Sequence, residues 1–290
     1  MARRRPATTH GIAVVDKPAG VTSHDVVGML RKRFGERQVG HGGTLDPDAT
    51  GVLVVAVGMA TKLLRYVEKT RKGYVGDVVL GVETDTLDAA GTVTATHEMS
   101  GVTADDARRV VAEHLTGDIE QVPPMVSAIR IDGQRLHELA RAGIEVDRPP
   151  RPVTIHEFAV EEGGEPGVLR VQVECSAGTY IRTLAADLGH LLGGGAHLRN
   201  LRRTSVGAFT LDDAAGPQDC ELLPVETAVR QLARVDVDVE TAALIANGRV
   251  LPAWGGDGPW AVFDPSGVLI AVYEPFRGDA KPAVVLPTAR

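Results

Sequence analysis

The chain has 290 residues, 43 % of them hydrophobic, and a net charge of −7, enough for one large or two smaller domains with substantial cores. No apolar run approaches the roughly 18 residues that span a membrane, and residues 1–6, rich in arginine, lack the apolar segment of a signal peptide. Cys175 and Cys220 are too few for a disulfide framework or a cysteine metal site, so a reducing cytoplasm is the expected location.

In chain order, Thr22-x-x-Asp25 opens a helix as a capping box, with Val27, Leu30 and Phe34 on one face and Gly35 as its stop. A glycine-rich loop, Gly40 to Gly51, then leads into Val52-Leu53-Val54-Val55-Ala56-Val57, short and apolar enough for a buried strand. Met59 to Val67 reads as a second helix and Tyr74 to Leu80 as a strand. Thr103-x-x-Asp106 caps another helix that should end near Gly117. Asp132-Gly133 suggests a tight turn before a helical stretch at Leu136–Arg141.

Leu169, Val171, Val173 and Cys175 alternate with Arg170, Gln172, Glu174 and Ser176, the pattern of a strand with one core face and one wet face. Cys175 is therefore expected in the core. Ile181, Leu184, Ala185, Leu188 and Leu191 follow at helical spacing. From Leu232 onward the texture changes. A short helix at Glu240–Ala246 precedes strands punctuated by Gly and Pro, with Val262-Phe263 and Val268–Tyr273 forming a hairpin about Asp264–Gly267. The expected fold class is α+β: a mixed, largely antiparallel sheet with flanking helices over residues 1–235, and a small carboxy-terminal β module over 236–290.

Net negative charge disfavours RNA binding, which relies on positive surface, but the charges are unevenly distributed. Residues 31–37 hold four basic groups and one acid, residues 62–72 hold five and one, and Arg199, Arg202 and Arg203 form a third group. Each run alone reads as a solvated face. Two of the three adjoin the segments holding Tyr74 and Arg182.

The most informative segment is Gly40-His41-Gly42-Gly43-Thr44-Leu45-Asp46-Pro47-Asp48-Ala49-Thr50-Gly51, which sets one carboxylate, Asp46, among Gly, Thr and Pro. Taken alone it is a glycine-rich turn, and it is no phosphate loop because no Gly-Lys-Ser/Thr follows. Together with other segments it resembles the TruB family of tRNA pseudouridine synthases. Asp16-Lys17-Pro18 with Gly20 and Thr22-Ser23, Lys72-Gly73-Tyr74, and Thr84-Asp85-Thr86-x-Asp88 match in family order. So do Pro123-Pro124-Met125-x-Ser127-Ala128, Gly178-Thr179-Tyr180-Ile181-Arg182-Thr183-Leu184 and Leu201-Arg202-Arg203. The chain departs from the pattern at Val126, where many relatives have an aromatic, and at Arg130 and His137, where Lys and Tyr are usual. Ala90 replaces the second acid of Asp-Ala-Asp-Gly. These departures fall on the expected RNA-contact surface.

The resemblance implies the pseudouridine synthase fold with a PUA-like RNA-binding barrel at the carboxy-terminal end. It implies isomerisation of uridine at position 55 in the T-arm loop of tRNA, by base flipping and without guide RNA, from a monomer. No cofactor or metal is expected: atoms and redox state balance in the reaction, and Glu83, Asp85 and Asp88 miss calcium-loop spacing. Asp46 would be the nucleophile or ion-pair stabiliser at C1′. Arg182 would pair with it, and Tyr74 would stack on the uracil, a better role than base for a phenol with a reference pKa near 10. Tyr180 would contact the same nucleotide, Leu201 would line the uracil pocket, and His41 would fill the space that the flipped base vacates. Lys17 would either support the site or touch phosphate. The rival reading is a non-catalytic tRNA-binding protein or folding chaperone on the same scaffold.

Overall fold

The computed structural model describes residues 7–127, 130–131 and 134–287. Residues 1–6, Ala128 of the proline motif and the Asp132–Gly133 turn lie outside the described residues.

The amino-terminal half begins with strand β1 (Gly11–Lys17), helix α1 (Ser23–Phe34), β2 (Val39–His41) and β3 (Thr50–Val57). Helix α1 has the expected ends. Thr22 and Asp25 form the reciprocal capping box, and Gly35 closes the helix in the left-handed region at φ 63°, where glycine avoids the Cβ clash. Residues 59–67 differ from expectation: a 3-10 segment at Gly58–Leu63 precedes a short helix α2 (Leu64–Glu68). Its N-cap Val57 supplies no side-chain cap, and His10 Nδ1 accepts from the Met59 N–H at 3.2 Å instead. Gly58, at φ 60°, is pressed so closely on Thr9 and His10 that a Cβ would collide with both.

Strands β4 (Lys72–Leu80), β5 (Val82–Thr84) and β6 (Val93–Thr96) follow, then α3 (Ala104–His114), capped by Thr103 and Asp106, and β7 (Gly117–Gln121). Short strands β8 (Arg130–Ile131) and β9 (Gln134–Arg135) lead to α4 (Leu136–Arg141). The long strands β10 (Arg151–Glu162) and β11 (Val168–Cys175), helix α5 (Ile181–Leu191), β12 (Ala196–Val206) and β13 (Phe209–Thr210) complete the larger unit.

Its sheet runs β1-β3-β12-β4-β11-β10-β7, with β2 alongside β3 and β13 alongside β12. Among these pairings only β3–β12 is parallel. This is the mixed, largely antiparallel sheet expected. Strand β11 alternates as its sequence indicates: Leu169, Val171, Val173 and Cys175 are buried beneath α3 and α5 while Arg170 and Gln172 face solvent. Strand β3 does not alternate, and its environment explains why. Leu53, Val55 and Val57 pack with Val26, Val27 and Leu30 of α1. Val52, Val54 and Ala56 pack on the opposite face with Tyr66, Val67 and the carboxy-terminal sheet. A strand covered on both faces is apolar at every position.

The carboxy-terminal part contains β14 (Ala233–Asp236), α6 (Val239–Ala246), β15 (Leu251–Pro252), β16 (Trp260–Phe263), β17 (Leu269–Phe276) and β18 (Asp279–Val285), in the sheet order β14-β16-β17-β18-β15. This curled sheet is the small PUA-like module. Its outer core joins Ile245 of α6 to Trp260, Ile270 and Tyr273. Trp254 sets its edge on Trp260 and Tyr273, at 5.8 and 5.3 Å between ring centroids. Its inner face is not free-standing: Ala261, Phe263, Leu269, Val272 and Val284 share the core that holds Ile12, Val14 and Val54.

Candidate active site

The Asp46 loop leaves β2 and returns into β3, and three buried side chains pin it. Lys17 is fully buried, and its Nζ donates to the carbonyls of Pro18, Val21 and Pro47 at 2.9, 2.7 and 2.8 Å. All three ammonium donors are thereby used, so Lys17 supports the site and has no donor left for phosphate. Ser23 Oγ accepts from Leu45 N–H at 2.8 Å and donates to the Leu45 carbonyl at 3.1 Å. Arg203, 1 % exposed, donates from Nε to the Val52 carbonyl at 2.7 Å and from its terminal nitrogens toward the Gly43 and Thr44 carbonyls at 3.2 and 3.4 Å.

Gly51 permits this approach. At φ 101° it faces Arg203 across the parallel ladder, and a Cβ there would stand 2.1 Å from the Arg203 carbonyl oxygen. The bond network fixes the loop's backbone and leaves the Asp46 carboxylate facing a cavity of about 330 Å³.

That cavity brings Asp46, Tyr74, Tyr180, Arg182 and Leu201 together, with Lys72 and Arg203 in its wall. Arg182 is the second residue of α5, and its side chain is 5 % exposed. Nε lies 3.0 Å and Nη2 3.4 Å from the two Asp46 oxygens. The remaining donors reach the Thr86 carbonyl at 2.8 Å, the Val126 carbonyl at 2.9 Å and the Asp88 carboxylate at 3.3 Å. A cation in the first turn of a helix opposes the macrodipole; two carboxylates and two carbonyls compensate it here. Burial raises the Asp46 pKa above its ordinary value, Arg182 opposes that shift, and Asp88 adds to it.

Tyr74 is buried on β4, with its phenol pKa pushed up by burial and its hydroxyl within reach of Arg203. It therefore stays protonated at neutral pH. Tyr180 precedes α5 as its N-cap, and Gln121 anchors its backbone through Oε1 to N–H at 2.7 Å and Nε2 to the carbonyl at 3.1 Å. Leu201 both lines the cavity and packs against the main core. His41 does not line the cavity. It ends β2 opposite Val55, with Nδ1 buried and without a hydrogen bond, and its pKa is lowered by burial and by the Arg203 charge.

Sequence reasoning missed Asp88 as the second partner of Arg182, Arg203 and Ser23 as pins of the loop, and Lys72 in the cavity wall. Each lies in a matched segment, but the segments do not reveal which side chains turn inward. The third basic group is split by the alternation of β12. Arg203 is interior, Arg202 pairs with Asp16 at 2.8 Å, and Arg199 pairs with Glu165 at 2.8 Å. The side chains of Arg130 and His137 lie outside the described residues. A second cavity, about 310 Å³, lies between α6 and β17–β18, lined by Ile245, Ile270 and Leu286 with Asp264 as its one charged group. It assembles no comparable chemistry.

Residues 31–181 match the family model of the TruB family pseudouridylate synthase amino-terminal domain. Residues 182–222 match the tRNA pseudouridylate synthase B carboxy-terminal domain, and residues 232–287 match the tRNA pseudouridine synthase II carboxy-terminal model. The chain is 45 % identical over 294 residues to the tRNA pseudouridine synthase B of Arthrobacter sp. (strain FB24), covering 95 % of this chain and 96 % of that protein. It is 47 % identical to the protein of the same name from Streptomyces coelicolor, over 96 % of this chain and 97 % of that one. Among solved structures, a chain of a Cbf5–Nop10–Gar1 complex superposes with a TM-score of 0.72 at 26 % identity, over 96 % of this chain and 84 % of the other. With the family models spanning both parts and the site motifs gathered around one cavity, the chain belongs to the TruB family of pseudouridylate synthases, isomerases that act on RNA.

Proposed function

We propose that the protein isomerises uridine to pseudouridine in tRNA, at position 55 of the T-arm loop, after flipping the target base out of its stack. The observation that carries this reading is the Asp46–Arg182 pair, 3.0 Å apart at the cavity beside Tyr74 and Leu201. The relatives named for tRNA are 45–47 % identical over nearly the whole chain, whereas the Cbf5 complex is 26 % identical. That contrast supports action on tRNA by the protein itself, without guide RNA.

In this reading Asp46 attacks C1′ or stabilises positive charge developing there, while the N1–C1′ bond breaks. Arg182 keeps the carboxylate ionised and aimed despite burial. The detached uracil turns between Tyr74 and Leu201, C5 bonds to C1′ as the Asp46 carboxylate releases it, the C5 proton leaves, and N1 ends protonated. The raised phenol pKa of Tyr74 favours stacking and hydrogen-bond donation over proton abstraction. Tyr180 contacts the same nucleotide at the cavity rim. His41 packs into the stack that the base leaves, which costs a few kcal/mol to open.

The alternative, a non-catalytic tRNA binder or folding chaperone, needs neither the buried ion pair nor the cavity. Incubating the purified chain with unmodified tRNA and mapping pseudouridine by base-resolved chemistry decides between them. The expected product is one pseudouridine in the T-arm loop; bound but unmodified tRNA would overturn the catalytic reading.

A further inference from the structure

Lys72 is the cation of this cavity to which the chemistry above gives no task. It precedes Tyr74 by two residues on β4, so the strand's alternation puts both side chains on one face, and both line the cavity. Lys72 is only 7 % exposed. Its Nζ donates to the Glu68 carbonyl at 2.8 Å and the Thr70 carbonyl at 3.3 Å. An ammonium has three donors, so these contacts leave one N–H over.

The charged and titratable groups facing Lys72 are Arg203 from β12, Glu68 from α2 and the Cys175 thiol from β11. Among the described residues none forms an ion pair with it, and the nearby Asp46 is held by Arg182. Burial pushes the Lys72 pKa down to about 8, and the Arg203 charge acts in the same direction. A buried cation beside a second cation, with no paired carboxylate, destabilises the free protein. The arrangement is matched by a negative charge that comes with the substrate or forms during the reaction.

Two such charges exist: a phosphate of the RNA, and the anion that uracil becomes when N1–C1′ breaks heterolytically. Depth favours the second. Lys72 is 7 % exposed and lines the cavity beside Tyr74, the residue placed here against the base.

We propose that Lys72 is a further catalytic residue, whose ammonium donates a hydrogen bond to the uracil as the glycosidic bond breaks and stabilises the anion on the detached base. The N1–C1′ electron pair passes to the uracil, and C1′ is taken by the Asp46 carboxylate. When C5 bonds to C1′ the Asp46–C1′ bond breaks and its electron pair returns to the carboxylate, the charge on the uracil is spent, the C5 proton leaves and N1 is protonated. Lys72 keeps its own proton throughout, and no oxidant or reductant enters. The proposal rests on the reading of this cavity as a uridine site.

The test is single-turnover pseudouridine formation by the full chain at saturating unmodified tRNA, with tRNA affinity and thermal unfolding measured alongside. For Lys72→Met the rate should fall on the order of a hundredfold, the scale of losing one preorganised donor to developing charge, while affinity changes less than about threefold. The wild-type rate should decline as pH rises through about 8. A normal rate for Lys72→Met would overturn the proposal. So would weaker binding with a normal saturated rate and a salt slope reduced by about 0.7–0.9, the signature of one lost phosphate contact. If the variant fails to fold, the wild-type profile decides, and a flat rate across about one unit either side of pH 8 would sink the role. A wild-type chain that makes no pseudouridine would remove the site reading itself, and this step with it.

Discussion

Arg182 and Asp46, 136 residues apart in sequence, meet side by side, with Nε 3.0 Å from Oδ2 and Nη2 3.4 Å from Oδ1. The same guanidinium holds Asp88 at 3.3 Å and the carbonyls of Thr86 and Val126. One buried cation therefore ties the Asp46 loop to the segments around residues 86 and 126.

Replacing it with Arg182→Met leaves two carboxylates facing each other and two carbonyls without a donor. Removing one partner of a buried pair costs about 3–5 kcal/mol. The Asp46 side chain keeps 42 % of its surface open, and solvent screening there places the expected loss near about 3 kcal/mol. Denaturant unfolding checks it, with turnover lost as well. Wild-type stability and rate in this variant would mean that the pair does no work.

Asp46→Asn should bind tRNA and fold but produce no pseudouridine, because the amide keeps the shape and lacks the nucleophile. Its effect on stability has a definite sign. Burial raises the pKa of Asp46 in the folded state, so the stability this group contributes is present below its unfolded value and lost as pH rises through the folded one. An uncharged Asn escapes that loss, and the thermal midpoint near neutral pH should not fall. The wild-type rate should have an acidic limb above the ordinary aspartate value of about 3.9, read from single-turnover rates across pH.

Gly51→Ala tests the backbone contact that orders the loop. The new methyl would meet the Arg203 carbonyl oxygen at 2.1 Å and its nitrogen at 2.8 Å, from a φ of 101°. Neither neighbour is a flexible side chain. Overpacking alone costs about 1–3 kcal/mol, and the left-handed backbone adds to it. A drop in stability of at least about 2 kcal/mol is expected in urea titration, with activity reduced because Arg203 no longer holds Gly43, Thr44 and Val52 in place.

Deletion of residues 236–290 asks whether the carboxy-terminal module only grips RNA or also completes the core. Glu274 accepts from the Tyr66 hydroxyl and the Arg65 guanidinium, both at 3.1 Å. Phe263, Leu269 and Val272 share a core with Val14 and Val54. The cut also severs β14, whose residues Ala233–Asp236 pair with β16. The truncated chain should melt at a clearly lower temperature or without cooperativity, and lose single-turnover activity with it. A cooperative melt, a normal rate and weaker RNA binding would instead describe an independent grip.

The sequence by itself determined the features that depend on neighbours within one turn or one strand. Thr22 with Asp25 and Thr103 with Asp106 cap their helices where the three-residue spacing requires. The alternation from Leu169 to Cys175 named the buried face of its strand, and the Asp46 loop stood out by its composition. Tertiary structure decided what depends on register and on which surface covers which. Strand β12 was not legible, because bulges near Arg199–Arg202 and Arg203–Ser205, and Asn200 at φ 53°, interrupt its period. Its pairing between β3 and β4 turns Arg203 inward and Arg202 outward. Lys17 as a pin, Asp88 as a second anion for Arg182 and Lys72 as an unpaired cation emerge the same way. Charge and hydrogen-bond partners are chosen by distance in space, and a linear pattern carries that distance only over the few residues that one regular element spans.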